Sequence, residues 1–192
     1  MTMTLLDKLF SLDLNLDGLM LDMSRHTSEY AYDCTPIGAL PFASMGVDGV
    51  HYCIIPLEGD NTLEKSPVYK ISPMDFSEGT VQWTARNFCD FISITAILKD
   101  AWVLSSLVYE PKDAFITELK DIKFEFSKKN STEKKAIKKE LGILTRNFPI
   151  VKIRNLYSYV NNAYLDINNH ADVKFSESDI KEMALGHYAY GK

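Results

Sequence analysis

His51 and the carboxylates near it are the residues whose types could carry acid–base chemistry. Asp48 precedes His51 by three residues, and Asp75 follows a stretch that can lie beside it as a strand. In such a group the histidine would take a proton while a carboxylate orients its ring. Neither a Gly-x-Ser-x-Gly elbow nor an activated cysteine accompanies the pair, and His51 alternates with Cys53 and Ile55 along an apolar run. Buried polar groups are hydrogen-bonded, so the expectation is a structural histidine, and no residue is assigned a catalytic role. Asp48 lies in Met45-Gly-Val-Asp-Gly49, where an Asp-Gly step accommodates positive φ. Turn chemistry accounts for it, and an exposed acidic recognition residue is the alternative.

Cys34, Cys53 and Cys89 are odd in number and far apart, without a Cys-x-x-Cys pair or a histidine at zinc-like spacing. They are expected to be buried free thiols. The glycines stand singly in turns, so no phosphate-cradling loop is assigned, and no metal or cofactor is expected. Lys128-Lys129 and Lys134, Lys135, Lys138 and Lys139 form the only basic run, which could track a phosphate backbone. Glu133 and Glu140 share its helix and no aromatic is interleaved. The expectation is a solvated amphipathic face, not direct nucleic-acid binding. Tyr30, Tyr32, Tyr52, Tyr69, Tyr157, Tyr159, Tyr164, Tyr188 and Tyr190 supply a residue type enriched at interfaces.

The elements that must position these groups come from 192 residues with 46% hydrophobic and 24% charged content, which suits one domain with a substantial core. The first residues lack both the basic start of a signal peptide and the apolar length of a membrane span. A cytoplasmic location without membrane contact is expected. Net charge is −5, but residues 1–119 carry 7 Lys+Arg against 17 Asp+Glu, while residues 120–192 carry 14 against 9. An acidic front and a basic back give a polarised field.

A short helix is predicted over about 3–11, with 12–23 as strand or loop. Strands are predicted at Ile37–Ser44, Val50–Leu57, Val68–Ser72 and Thr80–Ala85, the last half-buried with Val81, Trp83 and Ala85 on one face. Without long crossovers between them, they predict an antiparallel sheet. Phe88, Phe91, Ile92, Thr95 and Leu98 then mark a helix over about 87–99, which Trp102, Ser105, Val108 and Tyr109 either continue or follow as a short second helix. Pro111 suits the first turn of the next helix, whose stripe is Phe115, Leu119, Ile122 and Phe126. Asn130 and Glu133 read as a capping box for a helix with Ile137, Leu141 and Leu144 inward, stopped by Pro149. Ile153, Leu156, Val160, Ala163 and Ile167 predict a further helix, and Ser176, Asp179 and a Phe175–Ile180 staple predict the last.

Thr35-Pro36, Leu40-Pro-Phe-Ala-Ser44, Gly46-Val-Asp-Gly-Val-His51, Val68-Tyr-Lys-Ile-Ser-Pro-Met-Asp-Phe76 and Ala85-Arg-Asn-Phe88 with Phe91 resemble the SUKH superfamily, which takes in fungal cell-wall synthesis regulators and many bacterial proteins. The resemblance covers roughly Thr35 to Leu98. It implies an α+β fold, a mainly antiparallel sheet flanked by helices, here with a helical C-terminal segment. The expected organisation is a single domain: residues 1–34, then sheet and first covering helix over 35–98, then helices over 99–192. Many bacterial members are immunity proteins that neutralise a toxin's effector domain without catalysis of their own. The implied function is therefore a non-catalytic protein-binding module, and a basic toxin domain is the partner that an acidic front would suit. Asp48, His51, Glu58, Asp60, Glu64, Asp75 and Glu78 are its candidate protein-binding residues. The alternative is a regulatory or scaffold protein that uses its lysine-rich helices; an enzyme built on Asp48, His51 and Asp75 ranks below both, and the oligomeric state is left open.

Overall fold

Four short strands, β1 (Leu40–Ser44), β2 (His51–Ile54), β3 (Val68–Ile71) and β4 (Val81–Ala85), form an antiparallel meander in that order. The computed structural model describes residues 4–12, 14, 16–23, 32, 34–75, 80–100 and 109–176. The α+β architecture and the helical C-terminal portion expected from the sequence are both present. Each strand is shorter than its apolar run, for local reasons. Gly38 takes φ +77° and the Ala39 N–H closes a turn on the Pro36 carbonyl at 3.0 Å, so β1 cannot start at Ile37. At the other end of the first hairpin the Val50 N–H is spent on Val47. Pro56 has no N–H, and that of Leu57 goes to Ser66 Oγ at 3.0 Å, which stops β2.

Partners across an antiparallel ladder share a face, and successive residues alternate. Cys53, Tyr69 and Trp83 therefore stand in one row, with Tyr52, Lys70 and Gln82 on the opposite face. Helix α2 (Phe88–Leu98) covers the Tyr52 face. Its N-cap Asn87 accepts the Asp90 N–H at 2.9 Å. Phe91 then meets Tyr52 and Phe42 edge-on at 4.9 and 5.3 Å between ring centroids. The Trp83 face is covered by residues 164–171: Trp83 stacks on His170 at 5.6 Å, and the Ala171 N–H donates to Tyr69 Oη at 3.0 Å. Covered on both sides, β4 is not half-buried as expected. Thr84 is as inaccessible as Ala85.

The remaining helices are α1 (Leu5–Phe10), α3 (Lys112–Lys128), α4 (Ser131–Asn147) and α5 (Leu156–Leu165). Thr4 and Asp7 close a capping box on α1, whose Leu5 N–H donates to the Thr62 carbonyl at 3.2 Å. Between α1 and β1 a 3-10 turn at Asp17–Leu19 brings Asp22 beside Ser44, where they exchange backbone hydrogen bonds of 2.8 Å along the edge of β1. Pro111 stands just before α3 with ψ 151°, one residue earlier than predicted. The Asn130–Glu133 capping box opens α4 as the sequence indicates. Gly18 is required where α4 crosses: a Cβ there would lie 2.7 Å from Ile137 and 3.2 Å from Glu140.

The stripe predicted for α5 overruns both ends. Asn155 caps the helix through the Ser158 N–H at 3.0 Å, leaving Ile153 outside, and Asp166 ends it, leaving Ile167 78% exposed. Lys99, left-handed at φ +57°, ends α2, so the helix does not run on unbroken; Trp102, Ser105 and Val108, and the last helix with Asp179 and Ile180, lie outside the described residues. One hydrophobic cluster joins residues from Leu5 to Ala163, with Val173 packed against it. Among the described residues no helix is long and apolar enough to cross a membrane.

Candidate functional site

The β1–β2 connection is a tight turn with an internal brace. Asp48 and Gly49 have φ of +51° and +70°, and the Val50 N–H donates to the Val47 carbonyl at 2.9 Å, the type I′ arrangement that matches hairpin twist. Gly49 is needed twice over, because a Cβ there would also lie 2.7 Å from the Tyr32 ring. His51 is fully buried under the turn. Its Nδ1–H donates to the Gly49 carbonyl at 2.8 Å. Since a carbonyl only accepts, the neutral ring accepts at Nε2, where the Thr35 hydroxyl lies at 3.2 Å. Thr35 in turn accepts the Tyr32 N–H at 3.0 Å, and the Tyr32 ring stacks on the imidazole at 5.9 Å.

Both ring nitrogens of His51 are thereby engaged by groups other than Asp48 and Asp75. The pair weighed for acid–base work is not brought together. Burial pushes the His51 pKa below its ordinary 6.5, against an opposing pull from the Gly49 carbonyl. Such a group binds fewer protons folded than unfolded, so its contribution to stability is present above pH 6.5 and lost as pH falls through the lowered value. The denaturation midpoint is expected to drop on acidification across this window, and less so in His51→Asn, whose amide can still donate to Gly49. Equal pH dependence in the two proteins would mean that His51 is not held neutral.

Strand pairing sorts the acidic candidates. Ser44, His51, Ile71 and Val81 lie in register at one end of the sheet, and Leu40, Ile54, Val68 and Ala85 at the other. Asp48 and Asp75 thus share the first end, while Glu58, Asp60 and Glu64, between β2 and β3, lie at the second. Glu78 is outside the described residues. The described candidates do not form one surface: adjacent turns of a meander alternate ends.

Asp60 has a structural role in its loop. Its carboxylate accepts from Ser66 Oγ at 2.7 Å, the Lys65 N–H at 2.8 Å and Thr62 Oγ1 at 3.1 Å. Burial raises its pKa, but the hydrogen bonds from Ser66, Lys65 and Thr62 outweigh this and hold it below the usual carboxylate value. Glu64 is exposed and lines a groove of about 300 Å³ with Lys8, Asn87, Cys89 and Phe148. Cys34 and Cys53 are buried as expected, whereas Cys89 is only half-buried on this groove.

The end that carries Asp48 and Asp75 also presents apolar side chains. Val47 is 39% exposed, Tyr32 42% and Met74 59%. Val47 and Met74 were not singled out from the sequence, although an apolar residue inside a Gly/Asp turn, and another just after a strand-ending proline, are a usable signal. Beside them, burial lowers the Lys70 pKa while the charge of Asp75 opposes the shift. Among the described residues no cluster of His, Cys, Asp or Glu could hold a metal ion.

Sequence reasoning also missed a half-buried polar junction around the buried Asp90. Arg86 Nε donates to Asp90 Oδ2 at 2.5 Å, Tyr159 Oη donates to Asp90 Oδ1 at 2.6 Å, and the guanidinium lies 4.8 Å from the Tyr159 ring centroid. Burial first, then the hydrogen bond to Asp90, pushes the Tyr159 pKa up to about 12. The junction ties the end of β4 and the start of α2 to α5. Comparison with known proteins adds no relative: no protein-family model, curated protein or solved structure matches the chain.

Proposed function

We propose that this chain is a non-catalytic protein-binding module whose recognition surface is the end of the sheet that carries Val47, Asp48, Met74 and Asp75. One observation carries this reading: exposed apolar and acidic side chains share that end, Val47 and Asp48 on a turn braced from beneath by His51, Thr35 and Tyr32, and Met74 and Asp75 just after β3. Specific interfaces combine an apolar centre with a polar rim, and a turn fixed before encounter loses little freedom on binding. Two carboxylates at the rim suit a basic partner, whose approach they would steer. The resemblance to the SUKH superfamily implies the same kind of role, with a toxin's effector domain as the partner neutralised.

Capture from a lysate of the native host, with the wild-type chain and with Asp48→Lys combined with Asp75→Lys as bait, tests this. A basic protein should be retained by the wild type and retained about tenfold less, or worse, by the variant. Retention of the same proteins by both baits would remove this end of the sheet from recognition.

A further inference from the structure

The lysine-rich helix does not carry the neutralising carboxylates that its sequence suggests. At about 100° per residue, Lys135, Lys138, Lys139, Gly142 and Arg146 fall within one outward sector of α4. Lys135, Lys138, Lys139 and Arg146 are exposed, and among the described residues no carboxylate pairs with them. Glu133 points back along the axis to cap the Asn130 N–H at 2.7 Å. Glu140 is buried on the inward side against Gly18. Lys134 leaves the sector to donate to the Ser127 carbonyl at 2.6 Å. What remains is an uncompensated row of four cations, about 16 Å long at 1.5 Å per residue.

Gly142 stands in the middle of this row, in the interior of a helix that glycine weakens relative to alanine. Nothing among the described residues demands it. Its φ is ordinary, and a Cβ would meet only the Arg146 guanidinium at a comfortable 3.7 Å. Gly18 and Gly49, by contrast, are each crowded below 3 Å by their own chain. A bare backbone at the centre of an exposed cationic row suits an elongated anionic partner that approaches the helix closely.

We infer that the outward face of α4 is a docking site for an acidic helix of a partner protein, which lies alongside it across Gly142. Carboxylates at i, i+3, i+4 and i+11 on such a helix match the row charge for charge, and small residues let helix backbones come close. Helix α4 has no aromatic side chain to stack on bases, and the chain's net charge of −5 opposes a polyanion as densely charged as duplex nucleic acid. These features favour carboxylates over nucleic acid. The site is separate from the turn end proposed above.

An alanine-based helical peptide with glutamate at those positions, its glutamine counterpart and a duplex DNA oligonucleotide are the probes, followed by fluorescence polarisation and by amide shifts of the isotope-labelled chain. The glutamate peptide should bind and shift amides from Lys135 to Arg146, while the other two should not. Lys138→Glu with Lys139→Glu should weaken it by about tenfold or more at low salt. Gly142→Ala should raise the melting temperature yet weaken binding, which separates docking from folding. No binding of the glutamate peptide, equal binding of either control, or unchanged affinity in a more stable Gly142→Ala would each overturn the inference.

Discussion

Trp83→Ala is expected to lower folding stability by about 3–5 kcal/mol, the range for emptying a large aromatic site in a packed core. Trp83 is 2% exposed, its indole N–H donates to the Asn169 carbonyl at 2.8 Å, and its ring contacts both His170 and Tyr164. The residue therefore fastens the segment after α5 to the sheet as well as filling space. Trp83→Phe keeps most of the apolar contact and loses the hydrogen bond, so about 1 kcal/mol is expected for it. Urea denaturation of the three proteins checks both values. A midpoint unchanged by Trp83→Ala would place this side chain at the surface.

Arg86→Met is expected to cost about 3 kcal/mol, because it strips the counter-charge from a buried carboxylate. Asp90 is 1% exposed and would keep only Tyr159 among its side-chain donors. Adding Asp90→Asn removes the orphaned charge at nearly constant shape and should recover about 1–2 kcal/mol, as coupled neighbours do. If the second substitution adds to the loss instead, the hydrogen bonds of the carboxylate matter more than its neutralisation. Denaturation of the two single variants and the double variant distinguishes these outcomes.

What could be read from the sequence was set by neighbours close along the chain. The Asn130 cap, the Asp48-Gly49 turn and the apolar stripes of α2 and α4 depend on residues within a few positions of one another, and the structure contains all of them. The Arg86–Asp90–Tyr159 junction was not legible, because Tyr159 lies 69 residues beyond Asp90 and looks like any other tyrosine. The acidic candidates were grouped because they lie in successive turns, but strand pairing sends those turns to opposite ends of the sheet. Asp60 reads in the sequence as a candidate binding residue, and only the folded loop brings the Ser66 and Thr62 hydroxyls and the Lys65 N–H onto it. The lysine helix was discounted by counting Glu133 and Glu140 without placing them around its axis.

The most direct test of recognition by the turn end is the association rate of the purified chain with a captured basic partner, measured by stopped flow at increasing salt. The Debye length shrinks from about 10 Å at 0.1 M to about 3 Å at 1 M, so steering by Asp48 and Asp75 should fade over that range. The expected result is a wild-type rate that falls with salt, and a rate for Asp48→Lys with Asp75→Lys that is slower at low salt and nearly flat, at a melting temperature lowered only slightly by a lysine at the positive φ of position 48. A double variant that associates as fast as the wild type, with the same salt dependence, would contradict recognition through this end of the sheet.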